Sequence, residues 1–386
     1  METITIVGAG VAGMTAAISL AEAGARVVLF DTREAPGGRA RSLDGPYRAN
    51  LGPHVLYKDG AMFAWLGERA LLPPIAGVPL TGLRLRWGGE LHRTPPLSLI
   101  PSTLKLRGHR APVGESFRAW AAGHTDERTA ALLSSAAGVF SFHHDPGSLS
   151  AAFVWERTVR TLLTPPPAAR YPRGGWQALV DLLDTRVGEL GVERRYGERV
   201  TELSGITIVA TEPADAARLL GEPFDVVSGH TVCVDLAVRQ HRGDPFVVSD
   251  LDECGWIERF TAPDPSLAPE GEELIQAQMP VRPGESTDAA EARMNGLLDV
   301  ALPDRAARTT WRRRLVMDGR TGALDLPGST WRDRPALARG DGVFIAGDWT
   351  AAPGLLSEVA WASAVEASRA ALELARAPRP SLRRAA

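Results

Sequence analysis

The sequence predicts an α/β fold in which a parallel sheet is interrupted by a second, mixed α+β layer. Three observations predict it. The chain opens on a complete strand–turn–helix–strand unit, and near its end another strand finishes in Gly-Asp and runs into a helix. Between them lie two long stretches of short strands, Gly/Pro-rich turns and separate helical patterns.

The opening unit covers residues 1–31. Residues 3–7 (TITIV) form a short β-branched run suited to a buried parallel strand. Gly8, Gly10 and Gly13 follow with GxGxxG spacing, then a small-residue helical pattern through Met14, Ala17, Ile18 and Ala21 that stops at Gly24. Residues 27–30 make a second apolar strand ending in Asp31. Each glycine has its own duty: Gly8 permits the tight turn, Gly10 lets a pyrophosphate approach the backbone, and Gly13 lets helix and strand pack closely. A dinucleotide phosphate is expected on the helix N-terminus. Asp31, at the strand tip, is placed to accept hydrogen bonds from the ribose hydroxyls of an adenosine.

With 386 residues and 44% hydrophobic content, the chain can bury more core than one compact domain holds, so two domains are expected. Its 43 basic and 46 acidic residues nearly cancel, which gives no electrostatic case for nucleic acid or an anionic membrane surface and favours a small-molecule partner. Cys233 and Cys254 stand alone, without CxxC or His spacing, so neither a metal site nor a disulfide framework is expected and a reducing cytoplasm fits. The chain starts in a core strand instead of a leader pattern, and no window approaches 18 uncharged apolar residues, so the expectation is a soluble cytoplasmic protein without an integral membrane segment. Lysine occurs only at Lys58 and Lys105.

After Asp31 comes TREAPGGRARS (32–42), a glycine-hinged basic loop in which the Arg39 guanidinium and nearby amides, Gly38 included, can meet phosphate or flavin oxygens; the alternative is a solvated turn with surface arginines. GxGxxG followed by an acid and then GGRARS resembles the FAD-dependent amine oxidase and phytoene desaturase superfamily. That resemblance implies a Rossmann-like FAD-binding domain of the GR2 type, a discontinuous mixed α+β substrate domain, and FAD as cofactor. NLGPHVLY (50–57) is similar to the superfamily segment that passes close to the flavin ring, which makes His54 a candidate acid, base or substrate contact beside the alternative of a structural hydrogen-bonder.

Residues 83–87 and 90–93 are expected strands, and 116–122 and 127–137 expected helices. The pair His143 and His144 precedes a turn and specifies no metal. At YPRGGW (171–176) the chain is expected to return to the cofactor domain. A helix follows from Trp176 to Leu190 with Gly191 as its C-cap, then strands at 192–196, 199–203 and 206–210. This block resembles the superfamily's middle segment, which implies that the backbone near Val200 contacts adenine. Strands at 231–238 and 274–279 and a helix at 288–301 form the expected second half of the substrate domain. Its charged residues, among them Asp250, Glu258 and the run 312–314, carry no spacing that separates function from a solvated surface.

GVFIAGDWT (342–350) and then PGLLSE (353–358) open an Ala-rich helix to about residue 375. The Asp348 carboxylate after Gly347 suits a ribityl or bridging hydroxyl, and helix N–H groups suit negative charge at flavin N1 and O2. A nicotinamide enzyme has no use for this second element, so it separates FAD from NAD. Leu355 and Leu356 are included among the cofactor contacts. Two departures bear on substrate. No lysine follows Lys105, and Leu355 aligns with the cage aromatic of the amine oxidases. The reading therefore favours the desaturase-like branch, with an apolar pocket that presents a C–H bond for hydride transfer to flavin N5. Alternatives are an amine oxidase, a same-fold flavin-dependent isomerase or mutase, and a non-enzymatic prenyl-binding protein like the GDP-dissociation inhibitors. The expected FAD-binding domain is 1–82, 175–230 and 340–386; the expected substrate-binding domain is 83–174 and 231–339.

Overall fold

The structure, a computed structural model, describes residues 2–377; Met1 and residues 378–386, which close the expected FAD-binding segment 340–386, lie outside the described residues. Among the described residues, sixteen strands fall into three sheets. The first contains β1 (Ile4–Val7), β2 (Val27–Asp31), β8 (Glu193–Tyr196), β9 (Thr207–Val209), β15 (Ala338–Gly340) and β16 (Val343–Ile345), ordered β15-β16-β9-β1-β2-β8. All its pairings are parallel except β15 with β16. Ile4, Ile6 and Leu29 are fully buried, as the β-branched opening run requires for a strand covered on both faces.

Three helices pack on one face of this sheet: α1 (Val11–Glu22), α5 (Trp176–Glu189) and α7 (Ser357–Arg376). Met14, Ile18, Leu179, Leu183 and Val187 form the contact, each long apolar side chain contributing roughly 1.5–3 kcal/mol by burial. The Ala-rich pattern of α7 has a packing reason: its buried stripe is Ser363, Ala364, Ala367, Ser368 and Ala371, small enough for the helix to lie close to α1. Gly13 serves the same end, since a Cβ there would sit 1.7 Å from the Gly8 carbonyl oxygen.

The second sheet runs β14 (Thr309–Ala323), β10 (Ser228–Arg239), β13 (Glu272–Pro280), β12 (Trp256–Arg259), β11 (Val247–Asp250), β5 (Leu83–Trp87) and β6 (Glu90–His92). Helix α6 (Thr287–Ala301) covers one face, where Val232, Val234, Leu236, Ile275 and Met279 meet Met294, Leu297 and Leu298. Because side chains alternate along a strand, the opposite face presents Asp235, Gln276 and Glu258 in one cross-strand row, all buried. A helical layer with α2 (Phe117–His124), α3 (Glu127–Ala136) and α4 (Ala151–Thr158) builds its own core on Phe117, Trp120, Leu133 and Trp155. A small sheet joins β3 (Leu56–Tyr57), β7 (Ala169–Pro172) and β4 (Ile75–Gly77).

Two differences from expectation concern strands. No strand forms at 199–203; these residues run as an irregular segment along a cleft. The run 312–314 belongs to the fifteen-residue strand β14. Its alternation sends Arg313 to the buried Asp235 (Nε–Oδ2 2.6 Å) while Arg312 and Arg314 reach out to Glu291 on α6. A triple-Arg run hides this from the sequence, because the middle residue's partner lies on a strand far away in the chain.

Candidate cofactor and active-site cleft

A cleft of about 460 Å³ opens where the C-terminal ends of β1, β2, β9 and β16 meet the second sheet. At one end is the β1–α1 turn. Gly8 has φ +105°, and a Cβ there would strike the Ala210 carbonyl oxygen at 2.5 Å. Gly10 precedes α1 with no side-chain cap and no acidic residue in the first turn, and a Cβ built on it meets nothing within 4 Å. The first-turn N–H groups therefore face open space, as an anion seat requires. Asp31 borders the same space. Its Oδ2 accepts from the Ala9 N–H (2.7 Å) and its Oδ1 from the Arg33 N–H (2.8 Å), which fixes the carboxylate yet leaves about two lone pairs for further donors. Val200, between Arg199 and Thr201, forms the neighbouring wall.

Gly37 and Gly38 both have positive φ, and a Cβ at Gly37 would lie 2.7 Å from Arg41 Cγ and 2.8 Å from Val180. That double-glycine kink delivers Arg39 into the cleft. There its guanidinium grips Asp348 with two bonds of 2.8 Å, donates to the Arg320 carbonyl, and lies 4.0 Å from Glu212. Burial works to lower the pKa of Arg39, and the attraction of Asp348 and Glu212 more than reverses it. Gly347, immediately before Asp348, is held by its N–H donating to Ser363 Oγ on α7 (2.9 Å).

His54 lines the cleft beside Trp176, ring centroids 5.0 Å apart. Its Nε2 lies 2.9 Å from the Arg39 carbonyl oxygen, which can only accept, so Nε2 carries the proton and Nδ1 the lone pair. The ring keeps some surface open to the cleft, yet burial and the nearby Arg39 charge pull its pKa down to about 4, against a smaller upward pull from the backbone bond and Asp348. His54 is therefore neutral at pH 7. The segment carrying it is pinned at Asn50. Asn50 Oδ1 accepts from Ser42 Oγ (2.7 Å) and the Trp176 N–H (3.1 Å), and its carbonyl accepts from Arg313 Nη2 (2.6 Å).

Leu355 and Leu356 part company. Leu356 lines the cleft at the N-terminus of α7 with φ 53° and ψ −116°. Leu355 is 2% exposed and its side chain packs into the helical-layer core, away from the cleft that Leu356 lines. The turn is inverted at Leu356 because the Leu355 N–H donates to Glu358 Oε2 (3.0 Å), and Glu358 is in turn clamped by Arg160 (2.6 Å). Sequence reasoning also missed Phe142 and Met317, which come into the cleft from the helical layer and from β14. The positive φ of Phe142, 56°, at a turn whose backbone lies close against Gly229, leaves no trace in the sequence. Among the described residues no group of three His, Cys, Asp or Glu could hold a metal ion, and Cys233 and Cys254 are both free and buried.

The residues fit an elongated dinucleotide: an uncapped helix terminus with an open Gly10 for the phosphates, a fixed carboxylate at Asp31, and a wider end walled by Leu51, His54, Phe142, Trp176, Met317 and Leu356. A family described as an NAD(P)-binding Rossmann-like domain matches residues 6–68. The phytoene dehydrogenase of Streptomyces griseus is 28% identical over 367 residues, covering 71% of this chain and 72% of that protein. Among solved structures, an oxidoreductase from Methanosarcina mazei superposes with a TM-score of 0.78 at 16% identity over 95% of this chain and 100% of its own. Cyclohexylamine oxidase from Brevibacterium oxydans superposes with a TM-score of 0.72 at 15% identity over 97% and 99%. With an open phosphate seat, a GGR turn and a Gly-Asp helix start meeting in one cleft, the chain is similar in sequence to a phytoene dehydrogenase and shares its fold with an amine oxidase.

Proposed function

We propose that the chain binds FAD along the cleft and dehydrogenates a largely apolar small molecule. The observation that carries this reading is the meeting of two helix N-termini, α1 at Gly10 and α7 at Leu356, on one continuous cavity. One suits a pyrophosphate and the other a flavin ring that gains negative charge on reduction. When bound, FAD supplies hydride acceptance at N5.

The protein's own residues position and exclude. Asp31 and Asp348 hold hydroxyls, Arg39 fixes Asp348, and Leu51, Phe142, Trp176, Met317 and Leu356 offer the apolar walls against which a C–H bond is presented. In this reading residues 1–82, 175–230 and 340–386 hold the cofactor and 83–174 with 231–339 hold the substrate. The desaturases that resemble the chain support the apolar substrate class. Leu97, Ile100 and Leu104 lie exposed beside Lys105 and Arg107, a surface that supports transient contact with a membrane carrying such a substrate. Co-sedimentation with anionic vesicles tests that contact, and failure to sediment removes it from the reading.

No described helix is long and apolar enough to cross a membrane. The decisive experiment identifies the released cofactor by chromatography and follows flavin bleaching under anaerobic conditions with candidate apolar substrates and amines. FMN, or no flavin after reconstitution, overturns the reading; bleaching by amines alone moves it to the amine oxidases.

A further inference from the structure

The chain enters α7 through a tight turn at the cleft wall. Leu356 has φ 53° and ψ −116°, the second position of a type II′ turn, and the Glu358 N–H donates to the Leu355 carbonyl (3.1 Å) across it. Glycine is the usual residue at such a position, so this leucine is held against backbone strain. Glu358 does the holding. Its carboxylate, 6% exposed as a residue, accepts the Leu355 N–H on Oε2 (3.0 Å). Two glycines make room for it: a Cβ at Gly60 would lie 1.7 Å from Glu358 Oε1, and one at Gly354 would lie 2.8 Å from Glu358 Cβ.

That carboxylate stands in the first turn of a helix whose N-terminus faces the cleft. Unpaired, its charge would cancel the positive helix end that favours electron uptake by a flavin. Arg160 balances it, donating Nη1 to Oε2 (2.6 Å) and Nη2 to Oε1 (2.7 Å), and also reaches Asp59 with Nε (3.0 Å) and Nη2 (2.8 Å). The bonds to Glu358 outweigh burial and, with those to Asp59, hold the Arg160 pKa above its ordinary value, so the positive charge is permanent. Arg160 sits on a π-helical turn, Val159–Leu163, that follows α4. Such turns gather at functional sites, and this one ties the helical layer to the start of α7.

We propose that Glu358 and Arg160 act together as positioning residues for the flavin end of the cleft. Glu358 fixes Leu356 and the start of α7, and Arg160 cancels the charge that this geometry brings with it. The proposal rests on the reading of the cleft as an FAD site.

The test compares the midpoint potential of the bound flavin at pH 8 in wild type, Arg160→Gln and Glu358→Gln. Arg160→Gln leaves the Glu358 charge unbalanced, so the potential should fall. Glu358→Gln keeps an oxygen for the Leu355 N–H and removes the charge, so the potential should rise with flavin content near wild type. A general loosening of the fold would instead move both variants the same way and lower their flavin content. Where Arg160→Gln fails to fold, Asp59→Asn takes its place; that side chain is 49% exposed, and the potential should rise because Arg160 loses one of its two anions. Bound flavin with unchanged potentials, or shifts of one sign in Arg160→Gln and Glu358→Gln, overturns the proposal and leaves the FAD reading standing. Wild-type protein that binds no flavin overturns both.

Discussion

Arg39 and Asp348, from opposite ends of the chain, close a two-pronged ion pair across the cleft, Nη1 to Oδ2 and Nη2 to Oδ1, each at 2.8 Å. The pair spends one lone pair on each carboxylate oxygen and fixes the carboxylate at the cleft, which in the proposed reading preorients Asp348 for a cofactor hydroxyl. Removing it also frees Arg39 to meet a phosphate, which softens the loss. Asp348→Ala should therefore weaken FAD binding by roughly 1–3 kcal/mol without abolishing it. Titration of the apoprotein by flavin fluorescence measures this, and an unchanged Kd removes Asp348 from the cofactor site.

Gly10 and Gly13 belong to one motif but should fail differently. Space around Gly10 is open, so Gly10→Val should fold with near-normal Tm and bind no flavin. A Cβ at Gly13 would lie 1.7 Å from the Gly8 carbonyl oxygen, so Gly13→Ala should cost several kcal/mol of stability by driving helix from strand. Circular dichroism melts and flavin content, measured on both variants, separate the two roles. A cold-stable Gly13→Ala with full flavin contradicts the packing argument.

These contrasts mark what the sequence holds. Gly8, Gly10, Gly13 and Asp31 were legible because turn, helix start and strand tip are local, and so was the small-residue stripe of α7. What stayed hidden is long-range. Phe142 and Met317 enter the cleft only because the helical layer and β14 fold over it, and the Arg39–Asp348 pair joins two separately legible motifs. Neighbouring leucines 355 and 356 look alike in sequence, and one inverted residue sends one to the core and the other to the cleft.

Glu258 gives a pH prediction. Burial beside Tyr171 pushes its carboxyl up to about 7, with the tyrosine hydroxyl's donated bond offsetting part of this. Between its ordinary value and 7 the folded protein binds more protons than the unfolded chain at this site, so stability falls as pH rises through that window and levels off above it. Neutral His54 contributes the opposite slope between about 4 and its ordinary 6.5. The difference between wild type and Glu258→Gln isolates the carboxyl. Denaturant titrations should show the variant gaining on wild type by on the order of 3 kcal/mol from pH 4.5 to 8. A constant difference across that range would mean Glu258 ionises normally.

The last prediction concerns the reaction. His54 spends its Nε2–H on the Arg39 carbonyl, so only Nδ1 remains as an acceptor, and a conjugate acid of pKa about 4 makes it a weak base at neutral pH. General base catalysis by a well-matched group contributes about 10²–10⁴-fold, and His54 should fall below that range. What it does supply is a fixed donor under the backbone of Arg39, the residue that grips Asp348. His54→Ala should leave FAD bound and slow anaerobic flavin reduction by the substrate roughly tenfold, less than a matched base would cost. The wild-type rate of that step should show no His54 limb between pH 5.5 and 8. His54→Asn, which restores an N–H donor but no titratable ring, should recover part of the loss. A rate limb near pH 6.5 that vanishes in His54→Ala, with no rescue by asparagine, would instead make His54 the proton acceptor.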